Sequence, residues 1–256
     1  MLITSLENER IKNYIKLKDK KYRKRTNTFI VEGLHLVLEA YKSGNLIELI
    51  IEKDEVLPLD VPTIFVTNEI ISRLTSLDNP VTVLGLCKID DNKEIKGEKI
   101  LMLDGVQDPG NLGTIIRSSV AFNVDTIVLG SNTVDLYNPK VVRATQGMLF
   151  HTNIINADLK ETIGELKKQE IPIYGTKVEY GEDVRNFPLK DKKRYGLVVG
   201  NEGAGVSNEV LELCDKYIYI DMNEKVESLN VSIATSIILY ELNRWFYGVC
   251  FNWQNR

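Results

Sequence analysis

The sequence predicts an α/β protein in two parts. A small α/β domain covers residues 1–90, and a larger domain over 100–256 is built on a parallel sheet. Three observations carry that expectation. Short, continuously apolar segments such as KILMLDGV, TIVLG and YGLVVG recur along the second half, as in strands covered on both faces. Helical patterns separate them, and that alternation is the pattern of an α/β fold. Between the halves lies DDNKEIKGEK, which is charged and nearly free of large apolar residues, so 91–99 reads as a linker.

In chain order, Ile11, Tyr14, Ile15 and Lys18 share one face and predict a helix from Glu7 to about Lys21. TFIVEG reads as a strand, and LHLVLEAYKSG as a helix stopped by Gly44. LIELIIE, TIFVT and VTVLGLCKI are further strands, with a helix over NEIISRLTSL. In the second half KILMLDGV is a strand and NLGTIIRSSVAFN its helix. TIVLG is the next strand, and NPKVVRATQGML turns helical after Asn138-Pro139. IPIYGTKV, YGLVVG and KYIYIDM are strands, EVLELC is a short helix, and LNVSIATSIILYELNRWFYG is a long closing helix.

The chain has 256 residues, 43% of them apolar, which is enough to bury a substantial core. The formal net charge of -4 does not by itself point to a polyanionic partner. Distribution matters more than the sum: from Met1 to Arg25 there are nine Lys or Arg against three Asp or Glu. Such a run is either a solvated helix face or a phosphate-binding surface. Cys87, Cys214 and Cys250 are far apart and form no C-x-x-C pair, so neither a disulfide framework nor a zinc site is indicated, and a reducing cytoplasm fits. The N-terminus is not built as a signal peptide, and no apolar run reaches the length of a membrane span. His35 and His151 stand apart, and no metal, Ser-His-Asp or paired-carboxylate pattern is visible.

Three loops lie where strands of such a sheet would end, the usual place for a ligand. In DGVQDPGNLGTIIRSS, Asn111 or the neighbouring glycines would cap the following helix. Arg117 sits there among Leu112, Ile115, Ile116 and Val120, with Gly113 and Ala121 on its face. It either snorkels to water or meets an anion, as one partner of a buried or interface ion pair or as a contact for phosphate or ribose. In YGLVVGNEGAGVS the strand runs into a glycine-rich turn carrying Glu202. The spacing is neither a dinucleotide fingerprint nor a P-loop, which counts against a nucleotide-dependent oxidoreductase. In NEKVESLNVSIATS, Ser228 and Asn230 stand at a helix start, where both cap well.

These three stretches together resemble the motifs of the SpoU (TrmH) family of RNA ribose methyltransferases, in the SPOUT superfamily. The matching runs are NLGTIIRS (111–118), LVVGNEGAGVS (197–207) and ESLNVSIA (227–234), in the family's order. Basic residues followed by TFIVEGLHLVLEA look like the ribosomal-protein-like RNA-binding domain that many members carry. The resemblance implies a C-terminal trefoil knot, a homodimer formed through it, and transfer of the methyl of S-adenosylmethionine to a ribose 2′-hydroxyl without a metal. By position, Asn111 and Arg117 become the catalytic pair. Thr176, Gly200, Glu202, Gly203, Ile220, Met222, Ser228, Leu229 and Asn230 become cofactor-site residues. Arg143, Lys20, Lys21, Arg23, Lys24 and Arg25 become RNA contacts. The N-terminal domain favours ribosomal RNA or a ribosomal particle as substrate. Transfer RNA, self-protection against a ribosome-targeting antibiotic, and a non-catalytic RNA-binding or ribosome-assembly role are the alternatives. One departure stands out: members often carry Ile-Pro-Met with a glycine soon after, where this chain has Ile220-Asp221-Met222-Asn223-Glu224-Lys225.

Overall fold

The computed structural model describes residues 1–77, 81–90, 94–188 and 192–244. The end of the closing helix expected over 245–248, part of the expected linker (91–93) and Cys250 lie outside them. The chain divides into two compact units, one made of Met1–Asn92 with Asp135–His151, the other of Lys93–Val134 with Thr152–Arg256.

The first unit carries a mixed sheet of β1 (Leu2–Ile3), β2 (Thr28–Glu32), β3 (Leu46–Glu52), β4 (Thr63–Val66) and β5 (Val83–Lys88), in the order β1-β4-β3-β5-β2. β4 is parallel to β1 and β3, and β5 is antiparallel to β3 and β2. Helices α1 (Glu9–Lys16), α2 (Lys20–Thr26), α3 (Leu34–Lys42) and α4 (Asn68–Leu74) cover it. Ile11, Tyr14 and Leu17 bury against Ile50, Ile64, Ile70, Ile71 and Leu84. The apolar spacing that predicted the first helix is therefore its core face. The single helix expected over Glu7–Lys21 is two. Asp19 adopts an extended conformation that breaks the helix, and its side chain accepts from the Lys21 N–H and caps a second one.

The second unit is a fully parallel sheet of β6 (Lys99–Leu103), β7 (Thr126–Leu129), β8 (Asn153–Asn156), β9 (Ile173–Thr176), β10 (Glu182–Asp183), β11 (Tyr195–Val199) and β12 (Lys216–Tyr219). Its order is β10-β12-β9-β11-β6-β7-β8. β6, β7 and β11 are buried at every position, which explains their unbroken apolar runs. Helix α5 (Pro109–Ala121) follows β6, and α6 (Pro139–Ala144), capped by Asn138, follows β7. Besides α5, the described α-helices of this unit are α7 (Leu159–Lys168), α8 (Asn208–Leu211) and α9 (Val231–Asn243). β8 and α7 were not anticipated, although Leu159, Ile163 and Leu166 of α7 bury at helical spacing. The helix expected as far as Leu149 ends at Ala144 and is followed by a 3₁₀ turn over Met148–Phe150. Ser207 precedes α8 but makes no side-chain cap; its N–H donates to Asp104 instead.

Helix α6 and its flanks belong by packing to the first unit. The Phe29 ring of β2 meets the rings of Tyr137 and Phe150, and Arg23 pairs with Asp135 at 2.6 Å. The crossover between β7 and β8 thus carries a piece of the N-terminal fold.

Candidate active site

The site lies at the carboxyl ends of the parallel strands. β6 leads on to β7 on one side, and β11 flanks it on the other, so the loops after β6 and β11 face each other where the strand order reverses.

The loop after β11 is closed by its own backbone. Asn201 and Gly205 exchange N–H···O bonds of 2.9 and 3.0 Å, with Gly205 at φ +70°. A Cβ on Gly200 would come within 2.0 Å of the Gly205 carbonyl carbon. Gly200 is therefore glycine for the turn itself, not for ligand approach, whereas Gly203 has open space beside it. Asn201, not anticipated, organises the turn. Its side-chain oxygen accepts from the N–H of Gly203 and Ala204, and its amide donates to the Gly105 carbonyl. An Asn two residues before a glycine is a turn signal that was legible in the sequence.

Helix α5 begins at Pro109, two residues before the segment expected from Asn111. Asp108, not Asn111, caps it, accepting from the Asn111 N–H at 2.8 Å. This frees the Asn111 side chain, whose Nδ2 donates to Glu202 at 3.0 Å and whose Oδ1 accepts from Asn230 Nδ2 at 2.9 Å. Asn230 does two jobs. Its oxygen caps α9 by accepting from Ser232 and Ile233, while its nitrogen reaches Asn111. Glu202, Asn111 and Asn230 thus form one hydrogen-bonded chain through all three motifs. Glu202 also accepts from the backbone N–H groups of Gln107 and Asp108. Burial pushes its carboxyl up, but the Asn111 amide and these N–H groups outweigh it and hold the pKa below the ordinary glutamate value.

Arg117 lies on an exposed part of α5, contrary to the buried helix its neighbours suggested; Leu112, Gly113, Ile115 and Ile116 form the buried part. Gly113 and Arg117 share a helical face at i, i+4 spacing, but along it Gly113 is buried and Arg117 and Ala121 are exposed. Among the described residues Arg117 makes no hydrogen bond or ion pair, so its guanidinium is free to meet an anion. On α9, which packs against α5, Ile233 and Tyr240 are large, apolar and about half exposed. Ser118 bonds Ser236, and the Phe122 ring meets that of Tyr240 edge-on.

A cavity of about 590 Å³ opens beside this chain. Thr176, Gly200, Glu202, Gly203, Ile220, Met222, Ser228 and Leu229 line it, as do Lys177, Glu179 and Glu227, which were not anticipated. Asn230 does not; it is exposed at the start of α9, between the lining residues Leu229 and Val231, and holds Asn111.

The basic surface belongs to the first unit. Lys20, Lys21, Lys24 and Arg25 of α2 are exposed, and the Arg25 guanidinium lies 4.3 Å from the centroid of the Tyr22 ring. Arg23 departs from the expected RNA contact. It is 4% exposed and spends its donors on the Leu17 and Lys18 carbonyls and on Asp135. Arg143 departs too. It donates to Ser76 Oγ and pairs with the buried Glu32 carboxylate at 3.6 Å, so it pins α6 to β2 rather than facing solvent as a free cation.

Residues 98–240 match the model of the SpoU rRNA Methylase family, more than half of the chain. The chain belongs to that family. Residues 8–85 of this SpoU methylase also match an MRM3-like substrate binding domain. It is 38% identical over 245 residues to the 23S rRNA (guanosine(2553)-2′-O)-methyltransferase RlmP of Bacillus subtilis, covering 94% of this chain and 98% of that protein. Among solved structures it resembles a TrmH-family RNA methyltransferase from Porphyromonas gingivalis (TM-score 0.85, 31% identity, 94% of this chain and 99% of that one). It also resembles an AdoMet-bound rRNA methyltransferase from Sinorhizobium meliloti (TM-score 0.84, 31% identity, 96% and 98%). No helix among the described residues is long and apolar enough to cross a membrane, and no cluster of metal-ligating side chains occurs among them.

Proposed function

We propose that this SpoU methylase transfers the methyl group of S-adenosylmethionine to a ribose 2′-hydroxyl of ribosomal RNA. The observation that carries the reading is the Glu202–Asn111–Asn230 chain beside the cavity, in a family member aligned almost end to end with a 23S rRNA 2′-O-methyltransferase.

The cavity residues fit the cofactor. Ile220, Met222 and Leu229 offer apolar surface for a nucleobase, and the turn at Gly203 leaves room for its close approach. Glu179, Glu202 and Glu227 supply negative charge for a sulfonium and an ammonium group. When bound, S-adenosylmethionine supplies an electrophilic methyl carbon. The chain's own residues then position the ribose, which is most of what an in-line displacement needs. Glu202 is an acceptor saturated by fixed donors, so it serves as an anchor for Asn111 rather than as a base. Arg117 carries donors only, so we assign it to orienting the hydroxyl and stabilising developing alkoxide or phosphate charge.

The exposed apolar residues Ile233 and Tyr240 of α9, the helix packed against α5, are the surface we assign to a second copy of the chain. Lys20, Lys21, Lys24 and Arg25 would hold RNA phosphates. Cys87 and Cys214 are free, and burial pushes both thiols up, Cys214 to about 11. Unreactive thiols suit the cytoplasm we assign.

The test is transfer of labelled methyl to 23S rRNA and to ribosomal particles from cells lacking the protein, with Arg117→Ala alongside. Label at a 2′-O-ribose, at the RlmP-equivalent guanosine first, supports the reading. Cofactor binding without transfer to any RNA or particle would leave the non-catalytic RNA-binding role.

A further inference from the structure

Arg185 does not line the cavity, yet it ties a segment of the cavity wall to the edge strand β10. It lies in the 3₁₀ turn over Val184–Asn186 that follows β10. Its backbone N–H donates to Asp183 Oδ1, and its Nε and Nη2 grip the Asp183 carboxylate, with Nε 2.9 Å from Oδ2. The same Nη2 donates to Asp221 Oδ2 at 2.7 Å. β10 pairs with β12 so that Asp183 stands opposite Tyr219. Asp221 is two residues further on, between Ile220 and Met222, and both of those line the cavity while Asp221 does not.

One guanidinium thus bridges the edge strand to the loop that carries two cavity residues. Both acids have an oxygen within reach of a single nitrogen, so their carboxylates approach within about 5 Å of each other. Arg185 and Asp221 are each more than half exposed, so the attraction alone contributes little. The larger effect comes from what the arginine prevents. Without it, the Asp183 and Asp221 carboxylates face each other with no cation between them, and the loop is the part free to move away. Asn223 tightens that loop from the other side, accepting from the N–H of Lys225 and, through its carbonyl, of Val226.

We propose that Arg185 is a positioning residue of the cofactor site: bridging Asp183 to Asp221, it holds Ile220 and Met222 in the cavity wall. The inference rests on the reading of that cavity as the S-adenosylmethionine site.

The experiment titrates S-adenosylmethionine into the full chain by calorimetry for wild type, Arg185→Ala, Arg185→Lys, Asp221→Asn and the Arg185→Ala/Asp221→Asn pair. Hydrogen exchange over residues 219–226 and melting temperature are measured in parallel. Arg185→Ala should weaken binding roughly fivefold, less so at high salt, and speed exchange in the loop. Asp221→Asn should stay within about twofold of wild type, because it removes one acid but leaves no repelling pair. The double variant should recover most of the affinity, and Arg185→Lys should fall between wild type and Arg185→Ala. At saturating cofactor the rate of transfer should be nearly unchanged in all of them. Unchanged affinity and exchange in Arg185→Ala overturn the proposal alone. A double variant as weak as Arg185→Ala, with melting lowered equally in both, overturns it in favour of plain packing. Failure of the wild type to bind S-adenosylmethionine overturns this inference together with the reading of the cavity.

Discussion

Asn230 donates its side-chain amide to the side-chain oxygen, Oδ1, of Asn111 across 2.9 Å, joining the start of α9 to the start of α5. The same Asn230 caps its own helix, so the bond fixes the rotamer that the cap requires. Asn111 in turn can serve both neighbours in only one amide orientation: oxygen toward Asn230, nitrogen toward Glu202. An ordered chain of this kind separates the cap from the link.

Asn230→Asp therefore retains the cap but has no N–H for Asn111. Asn111 can satisfy the new carboxylate only by turning its amide away from Glu202. Melting should change little, while methyl transfer falls roughly tenfold, the loss of one well-made hydrogen bond. Asn230→Ala should show the same transfer defect and in addition lose about 1 kcal/mol of stability with the cap. Thermal melting and single-turnover transfer separate the two. Equal transfer by wild type and Asn230→Asp would remove the link from the mechanism.

Arg117 is exposed and without a partner among the described residues, so its removal costs the fold little. Arg117→Ala should abolish transfer while cofactor affinity and melting temperature stay near wild type. Arg117→Lys keeps the charge but loses the planar fork, and should recover only a small part of the rate. Loss of stability in Arg117→Ala would instead mark a structural arginine.

The basic helix α2 divides into two classes. Replacing Lys20, Lys21, Lys24 and Arg25 together by alanine should lower the salt slope of RNA binding by up to about 3 with little change in melting. Arg23→Met should do the reverse. It strands Asp135 and the Leu17 and Lys18 carbonyls, and should cost about 2–3 kcal/mol of stability without a specific effect on the slope. Filter binding across a salt series and denaturant melts decide between them.

Acid should unfold the first unit partly through Glu39. Lys42 and His151 hold its carboxyl at about 2, well below the ordinary glutamate value of about 4.3. A carboxyl lowered in the folded state stabilises it above the unfolded value, and that contribution fades as pH falls from about 4.3 toward 2. Glu39→Gln should be less stable than wild type at pH 6, and the difference should shrink across that acid range. A constant difference in denaturant melts at every pH would rule out this linkage.

Much of this was legible along the chain. The apolar strand segments, the helix starts at Asn138 and Asn230, and the three motif loops depend on residues close in sequence, where local propensity and capping act. The resemblance of those loops to one family followed from the same short runs. Other assignments depended on partners far along the chain. Asn111 meets Glu202 and Asn230 at separations of 91 and 119 residues. Its role as their bridge existed only once Asp108 had taken over the cap. In the run KKYRKR nothing local marks Arg23 as the buried one. Arg23 of α2 is buried because it meets Asp135, which belongs to a crossover more than a hundred residues away. Arg143 looked like a free cation until the fold placed Glu32 and Ser76 beside it. Sequence by itself determined the elements, the motifs and the family. The tertiary structure alone decided which polar side chains are consumed by the fold and which remain for substrate, because burial and long-range pairing depend on where distant segments meet.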